Sequence, residues 1–173
     1  MVRALSLGEP VAEEDVVWGE LPIHAAYYVT SEPPPEELVT SVRAVVLCGE
    51  RVLVSRNRDA VHALPGGRRE AGESFEETLR REVLEETGYA IDGPRRLGVA
   101  HLRHVAPKPA GYPFPHPDFL WAVYAVESDG QRLGVPADDY ELEARFLPLA
   151  EALALVDLPS RVYLEAVRGS RAE

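Results

Sequence analysis

A chain of 173 residues, 46% of them apolar, is long enough for one globular domain with a real core and short for two. Its net charge of -11 at pH 7 argues against a polyanion-binding surface, because a nucleic-acid binder of this size carries a basic stripe; no polymeric nucleic-acid partner is expected. No run approaches the ~20 apolar residues that cross a bilayer, and Glu9, Glu13, Glu14 and Asp15 stand where an export signal would be basic and then apolar, so a cytoplasmic protein without membrane contact is expected.

Residues 1–20 are polar and acidic without clear periodicity, and Ile23–Val29 reads as a first strand, ended by Ser31-Glu32-Pro33-Pro34-Pro35. The run Thr40–Cys48, the turn Gly49-Glu50 and the run Arg51–Ser55 read as a hairpin. The single cysteine, Cys48, cannot form an intramolecular disulfide, and its apolar neighbours predict a buried reduced thiol. Pro65-Gly66-Gly67 ends extended structure after Leu64 and permits a close backbone approach. Ser74 with Glu77 forms a capping box, and Gly88 closes the helix that the pattern predicts over 74–87. Strands are expected at Leu97–Val105, Asp118–Glu127 and Ala144–Leu147, with a proline-rich loop at Ala106–Pro117. Helical spacing runs through Ala150–Val156 and Arg161–Val167.

The segment Gly67–Tyr89 carries an unusual density of glutamates. At about 100° per residue from Phe75, Glu82 and Glu86 fall close to the apolar stripe of Leu79 and Val83, Glu85 flanks it, and Glu76 and Glu77 turn away. A solvated acidic face would lie opposite the core, so this pattern is the wrong one for a merely structural helix. Like charges four residues apart cost roughly 0.2–0.5 kcal/mol per pair, and more when partly buried, so these carboxylates need compensation. A hard divalent cation such as Mg²⁺, which takes oxygen ligands and bridges carboxylates to substrate phosphates, supplies it. Arg81 can pair with Glu77 or Glu85 one turn away.

Gly67, five residues, Glu73, seven residues, then Arg81-Glu82-Val83-Leu84-Glu85-Glu86-Thr87-Gly88-Tyr89 resembles the Nudix box. Every charged and glycine position matches, and Tyr89 departs from the usual aliphatic residue, which bears on packing rather than chemistry. Leu64-Pro65-Gly66 and Glu143–Leu149 resemble common flanking context, so the likeness extends over about 40–157. The resemblance implies an α/β/α sandwich on a mixed β-sheet, with a loop-helix-loop catalytic motif in a domain of residues 40–173. Residues 1–39 would be an N-terminal extension, and its strand Ile23–Val29 a homodimer contact. It also implies hydrolysis of a nucleoside diphosphate linked to another group, by metal-activated water attack on phosphorus. By position, Glu82 and Glu86 would be the main Mg²⁺ ligands (Mn²⁺ a substitute), Glu85 a further ligand, and the Gly67 carbonyl would complete the shell. Glu73 would steady the loop through Arg81.

Nudix proteins differ in their general base. Glu127, at a strand end beyond the box, is the preferred external candidate, with Glu141, Glu143, Asp138 and Asp139 competing as either bases or solvated loop carboxylates. Substrate contacts are expected from Arg56 and Arg58, from His62 before the box, and from Tyr112 and Phe114 in the proline-rich loop; a solvated role for the arginines, a structural or surface role for His62 and a packing role for the two rings are the alternatives. His101 and His104, three apart on a strand, point to opposite faces and do not form a two-histidine metal site. A catalytically idle nucleotide sensor or interaction module on the same fold is the alternative to an enzyme. The intact glutamates favour the enzyme, since a sensor has no need to hold them against mutual repulsion.

Overall fold

A computed structural model describes residues 7–136 and 139–171, so Asp138 lies outside the described residues. In chain order the first elements are β1 (Ala12–Trp18), β2 (Leu21–Val29), a 3-10 turn (Glu36–Leu38), β3 (Val39–Cys48), β4 (Arg51–Asn57), β5 (Val61–His62) and β6 (Gly66–Arg68). There follow α1 (Phe75–Thr87), β7 (Asp92–His104), β8 (Asp118–Glu127), β9 (Glu141–Pro148), α2 (Leu149–Leu155) and α3 (Leu158–Arg171).

The strands form one mixed sheet in the order β1-β2-β7-β8-β3-β4-β5, with β6 paired to β3 and β9 to β4. β3 and β8 run parallel at its centre and the other pairings are antiparallel. Central parallel strands are covered on both faces, which is why β3 and β8 read as near-continuous apolar runs. Their alternation sorts the layers: Val42, Ala44 and Val46 pack with Leu79 and Val83 of α1. Val45 and Leu47 pack on the other side with Tyr163, Leu164 and Val167 of α3. The result is the expected α/β/α sandwich. No helix among the described residues is long and apolar enough to cross a membrane.

The β3–β4 hairpin forms as expected, but only its tip is paired, at Leu47 with Val52 and Cys48 with Arg51. Below the tip the strands separate, β4 pairing with β9 and β3 with β6. Extended structure therefore does not end at Pro65: Gly66–Arg68 continues as a short strand against Ser41–Arg43. Cys48 is half-buried rather than buried, because it sits at the strand end beside the turn.

β1 is the element that the sequence pattern does not announce. Its alternation is carried by Glu13 and Asp15 against Glu14 and Val16, and a polar strand on a sheet edge shows no apolar period. Ile23–Val29 lies in β2, whose two edges are taken by β1 and β7, so this strand has no free edge for pairing with a second protomer.

α1 begins with the predicted capping box, in which the Glu77 amide donates to Ser74 Oγ at 3.2 Å and the Ser74 amide to Glu77 Oε2 at 2.7 Å. Glu77 is thereby committed to the cap. The helix ends at Gly88, which has φ of 77° and a backbone so close to the 128–136 segment that a Cβ would lie 2.3 Å from the Gly134 carbonyl oxygen. Tyr89 fills the place of the usual aliphatic residue by packing edge-on against Phe146, with ring centroids 5.0 Å apart. Gly88→Ala is expected to lower the unfolding free energy by more than about 1 kcal/mol, read from urea denaturation of the purified variant.

Candidate active site

α1 presents its carboxylates to the β3 and β6 backbone. Glu82 lies directly over Gly67, where a Cβ would stand 2.4–2.6 Å from the carboxylate atoms; any side chain at 67 would evict it. Glu86 accepts a hydrogen bond from the Gly66 amide at 2.9 Å. Burial pushes the Glu86 carboxyl up to about 7, with Glu141 and Glu82 adding repulsion and Arg43 and the Gly66 amide acting against them. Glu85 is exposed at the flank of this group.

Arg81 organises the carboxylates around it. Its Nε and Nη2 donate to the two oxygens of Glu73 at 2.6 and 2.9 Å, a bidentate fork. Its Nη1 reaches Glu82 at 2.9 Å and Glu85 at 3.3 Å, and Nη2 also donates to the Arg68 carbonyl at 3.1 Å. Of the two partners foreseen one turn away, Glu85 is engaged and Glu77 is not. Glu73 also accepts from Thr78 Oγ1 and the Glu70 amide, fixing the loop onto the helix. The Arg81 fork, followed by the Glu70 amide and Thr78, pulls the Glu73 carboxyl down to about 2.

Among the described residues, no three His, Cys, Asp or Glu side chains already form a cation cage. A magnesium ion retains waters and substrate phosphates in its shell, so a complete protein cage is not what its binding requires. Glu82 and Glu86, half-buried neighbours with Glu141 nearby, form an oxygen donor set that suits a hard cation.

The external candidates separate by position. Glu127 pairs with Leu47, four residues along β3 from the point where Arg43 meets Gly66, which places it roughly 13 Å along the strand from the box. Glu127 is therefore not brought to the cluster, because the parallel β8 carries its end past it. Glu141, at the start of β9, is the outside carboxylate whose charge reaches Glu86. Glu143 pairs with Arg56 at 3.6 Å, and the Asp139 carbonyl accepts from Arg58 at 3.2 Å. Arg56 and Arg58 are thus exposed residues held to the β9 side, and neither lines the large cleft described next.

That cleft, of about 770 Å³, lies between the β1–β2 hairpin and the start of α3. His62 lines it, is 8% exposed, and accepts from the Leu64 amide through Nδ1 at 3.3 Å. Burial, then Arg43, lowers its pKa to about 4, so the ring is neutral at pH 7. Tyr112 and Phe114 do not line the cleft. Tyr112 hydrogen-bonds His104 Nε2 through its hydroxyl at 3.1 Å, and Phe114 lies under the Arg68 guanidinium, 4.1 Å from its ring centroid. The proline-rich loop is thereby tied to the box through Arg68. His101 and His104 are separate, the first bonded to Asp118 and the second to Tyr112.

Sequence reasoning passed over Arg43, which sits between the cleft and the box. It donates to the Leu64 carbonyl at 3.4 Å, lies 4.8 Å from the Trp121 ring centroid, and influences both His62 and Glu86. A lone charge inside the apolar run Val39–Cys48 was the available signal.

Residues 38–167 match the family model of the NUDIX domain. The chain belongs to the Nudix hydrolase family. Curated Nudix relatives include NAD-capped RNA hydrolase NudC of Escherichia coli O157:H7, 35% identical over 75 residues, or 43% of this chain and 24% of the relative. NudC of Salmonella paratyphi C is 27% identical over 132 residues, 74% of this chain and 44% of that protein, so the chain spans less than half of these relatives. Solved Nudix structures share the fold. A mutant form of the Bacillus subtilis pyrophosphohydrolase BsRppH superimposes with TM-score 0.61 at 17% identity, covering 92% of this chain and 98% of that one. The NUDIX domain of Shewanella oneidensis NrtR, complexed with ADP ribose, gives TM-score 0.58 at 17% identity, covering 82% and 94%.

Because the folded pKa of Glu73 lies below its ordinary 4.5, its stabilising contribution is complete above that value and is lost as pH falls toward about 2. Acid unfolding followed by circular dichroism is expected to show a steeper loss of stability below pH 4.5 in the wild type than in Glu73→Gln.

Proposed function

We propose that the protein is a Mg²⁺-dependent pyrophosphohydrolase, with Mn²⁺ as a substitute, acting on a nucleoside diphosphate linked to another group. The observation that carries this reading is the half-buried pair Glu82 and Glu86, set against the β6 backbone with Glu141 close by. These carboxylates, with Glu85 at the flank and the Gly67 carbonyl, would hold the cation. When bound, a divalent cation neutralises a diphosphate and acidifies water.

The chain's own residues do the rest. Arg81 holds Glu82 and Glu85 in place while its fork to Glu73 fixes the loop. Arg43, with its charge between the cleft and Glu86, is placed to meet the diphosphate. A water attacks one phosphorus, its proton passes to a carboxylate, and the anhydride oxygen leaves with the other phosphate. Glu141 is the proton acceptor we assign, in place of Glu127, because its charge is felt at Glu86. The names of the curated relatives concern NAD-capped RNA, and NAD is itself a dinucleoside diphosphate; this supports a linkage between two nucleosides over a bare polyphosphate. An acidic surface, net -11, suits the free dinucleotide better than a long RNA.

Glu86→Gln is expected to lower anhydride hydrolysis by several orders of magnitude with the circular dichroism spectrum unchanged. The wild type should be assayed with Mg²⁺ or Mn²⁺ against nucleoside triphosphates, ADP-ribose, dinucleoside polyphosphates, nucleotide sugars and coenzyme A. Turnover unaffected by Glu86→Gln would refute the metal assignment, and no turnover of any substrate would favour the idle sensor.

A further inference from the structure

Residues paired directly across two strands share a face of the sheet, and along each strand the faces alternate. In the pairing of β4 with β9, Leu53 with Phe146 and Ser55 with Ala144 belong to the α1 side, where Leu53, Ala144 and Phe146 pack with Leu79 and Val83. Val52 with Leu147 and Val54 with Arg145 belong to the α3 side, where Val52, Val54 and Leu147 pack. Unbroken alternation would send Glu143 and Glu141 together to the α3 side and present Leu142 to α1. The register is broken instead: Arg56 pairs with Glu143 and Asn57 with Glu141, so Leu142 is an extra residue on β9. A bulge of this kind re-aims the side chain beyond it. Glu141 takes the α1 face, is half-buried and adds its repulsion to Glu86, whereas Leu142 is left 48% exposed.

An extra residue near a strand end interrupts the ladder, so the chain before it needs another hold. The turn that follows β4 supplies one. Asn57 Oδ1 accepts from the Asp59 and Ala60 amides at 3.0 and 2.8 Å, and the Asn57 amide donates to the Ala60 carbonyl at 3.0 Å, which stiffens the turn. From this turn two side chains reach the residues just before Glu141. Arg58 Nε donates to the Asp139 carbonyl at 3.2 Å, and Asp59 Oδ2 accepts from the Tyr140 hydroxyl at 2.5 Å. The Asp59 hydrogen bond, then burial, pushes the Tyr140 hydroxyl up to about 12, so it remains a donor at neutral pH. Glu141 is therefore held on one side by the 57–60 turn and on the other by the ladder that resumes at Glu143.

We propose that the Leu142 bulge, together with the grip of Arg58 and Asp59 on Asp139 and Tyr140, is a positioning device that holds the Glu141 carboxylate toward Glu86. Arg58, Asp59 and Tyr140 are positioning residues that act through Glu141. Arg58, expected from the sequence to meet phosphate, thereby has a different task. The inference rests on the hydrolase reading, in which Glu141 accepts the proton of the attacking water, and deepens it by naming what sets that carboxylate in place.

Tyr140→Phe removes the hydroxyl donor without changing charge, and Mn²⁺ alone, titrated by electron paramagnetic resonance, reads the position of Glu141 without turnover. Glu141→Gln is expected to weaken Mn²⁺ binding about tenfold, because a carboxylate close to the site attracts the ion. Tyr140→Phe is expected to weaken it about threefold in the wild type and not at all in the Glu141→Gln background, since a residue acting through another has no effect once that other is gone. With Mg²⁺ and the fastest substrate of the panel, Tyr140→Phe is expected to lower kcat about fivefold, the size of one hydrogen bond, with KM nearly unchanged. Leu142→Glu placed in the Glu141→Gln background is expected to restore neither property, because the bulge turns position 142 away from α1. Mn²⁺ binding unaffected by Tyr140→Phe, losses that add in the double variant, or recovery through Leu142→Glu would each overturn the device and leave the hydrolase reading standing. A Glu141-dependent loss of Mn²⁺ binding in a protein that hydrolyses no member of the panel would uphold the device and remove the hydrolase reading.

Discussion

Removing a carboxylate from water raises the free energy of its charged form, and the packing of α1 onto Gly66 and Gly67 does this to Glu86. The surrounding architecture follows from that constraint. Glu82 can lie over Gly67 only because position 67 has no side chain, and Arg81 must spread its guanidinium over Glu73, Glu82 and Glu85 to keep them together. Glu73 is almost fully compensated by that fork and by Thr78, whereas Glu86 is buried with one amide donor and the more distant charge of Arg43 set against neighbours of its own sign. The two glutamates therefore differ in kind: one is a structural clamp with a depressed pKa, the other a half-buried carboxyl with a raised pKa.

The second organising feature is the separation of β3 from β4 below their tip. Because only the last residues of this hairpin pair with one another, β6 can dock on β3 and bring the box backbone to α1, while β9 docks on β4 and brings Glu141 toward Glu86. Arg43 sits on β3 opposite Gly66, at the meeting of these elements. Its influence on both His62 and Glu86 joins the cleft to the carboxylate cluster electrostatically.

Local signals in the chain proved reliable wherever the interaction was local. The capping box at Ser74 and the left-handed glycine at 88 needed only near neighbours, and each forms where the pattern places it. Strand β1 escaped notice because its polar edge residues have no apolar period, though register with β2 fixes it residue by residue. Glu127 looked suitable from its position at a strand end, but strand direction and register carry that end past the box. Arg56 and Arg58 looked like phosphate contacts from their nearness to the box in sequence; cross-strand pairing sets Arg56 against Glu143 of β9, and Arg58 donates to the Asp139 carbonyl before that strand.

The Nudix family and the glutamates that define its box were legible in the sequence alone, because they depend on fixed spacing along one loop and one helix, where 3.6-residue periodicity converts sequence position into a face. The large cleft, the stacking of Trp18 on Trp121, the place of Arg43 and the positions of Glu141 near Glu86 and of Glu127 beyond the box were decided only by tertiary structure. These features join residues far apart in the chain through sheet order and register. No local pattern encodes which strand end meets which, since each pairing is selected by the packing of the whole sheet.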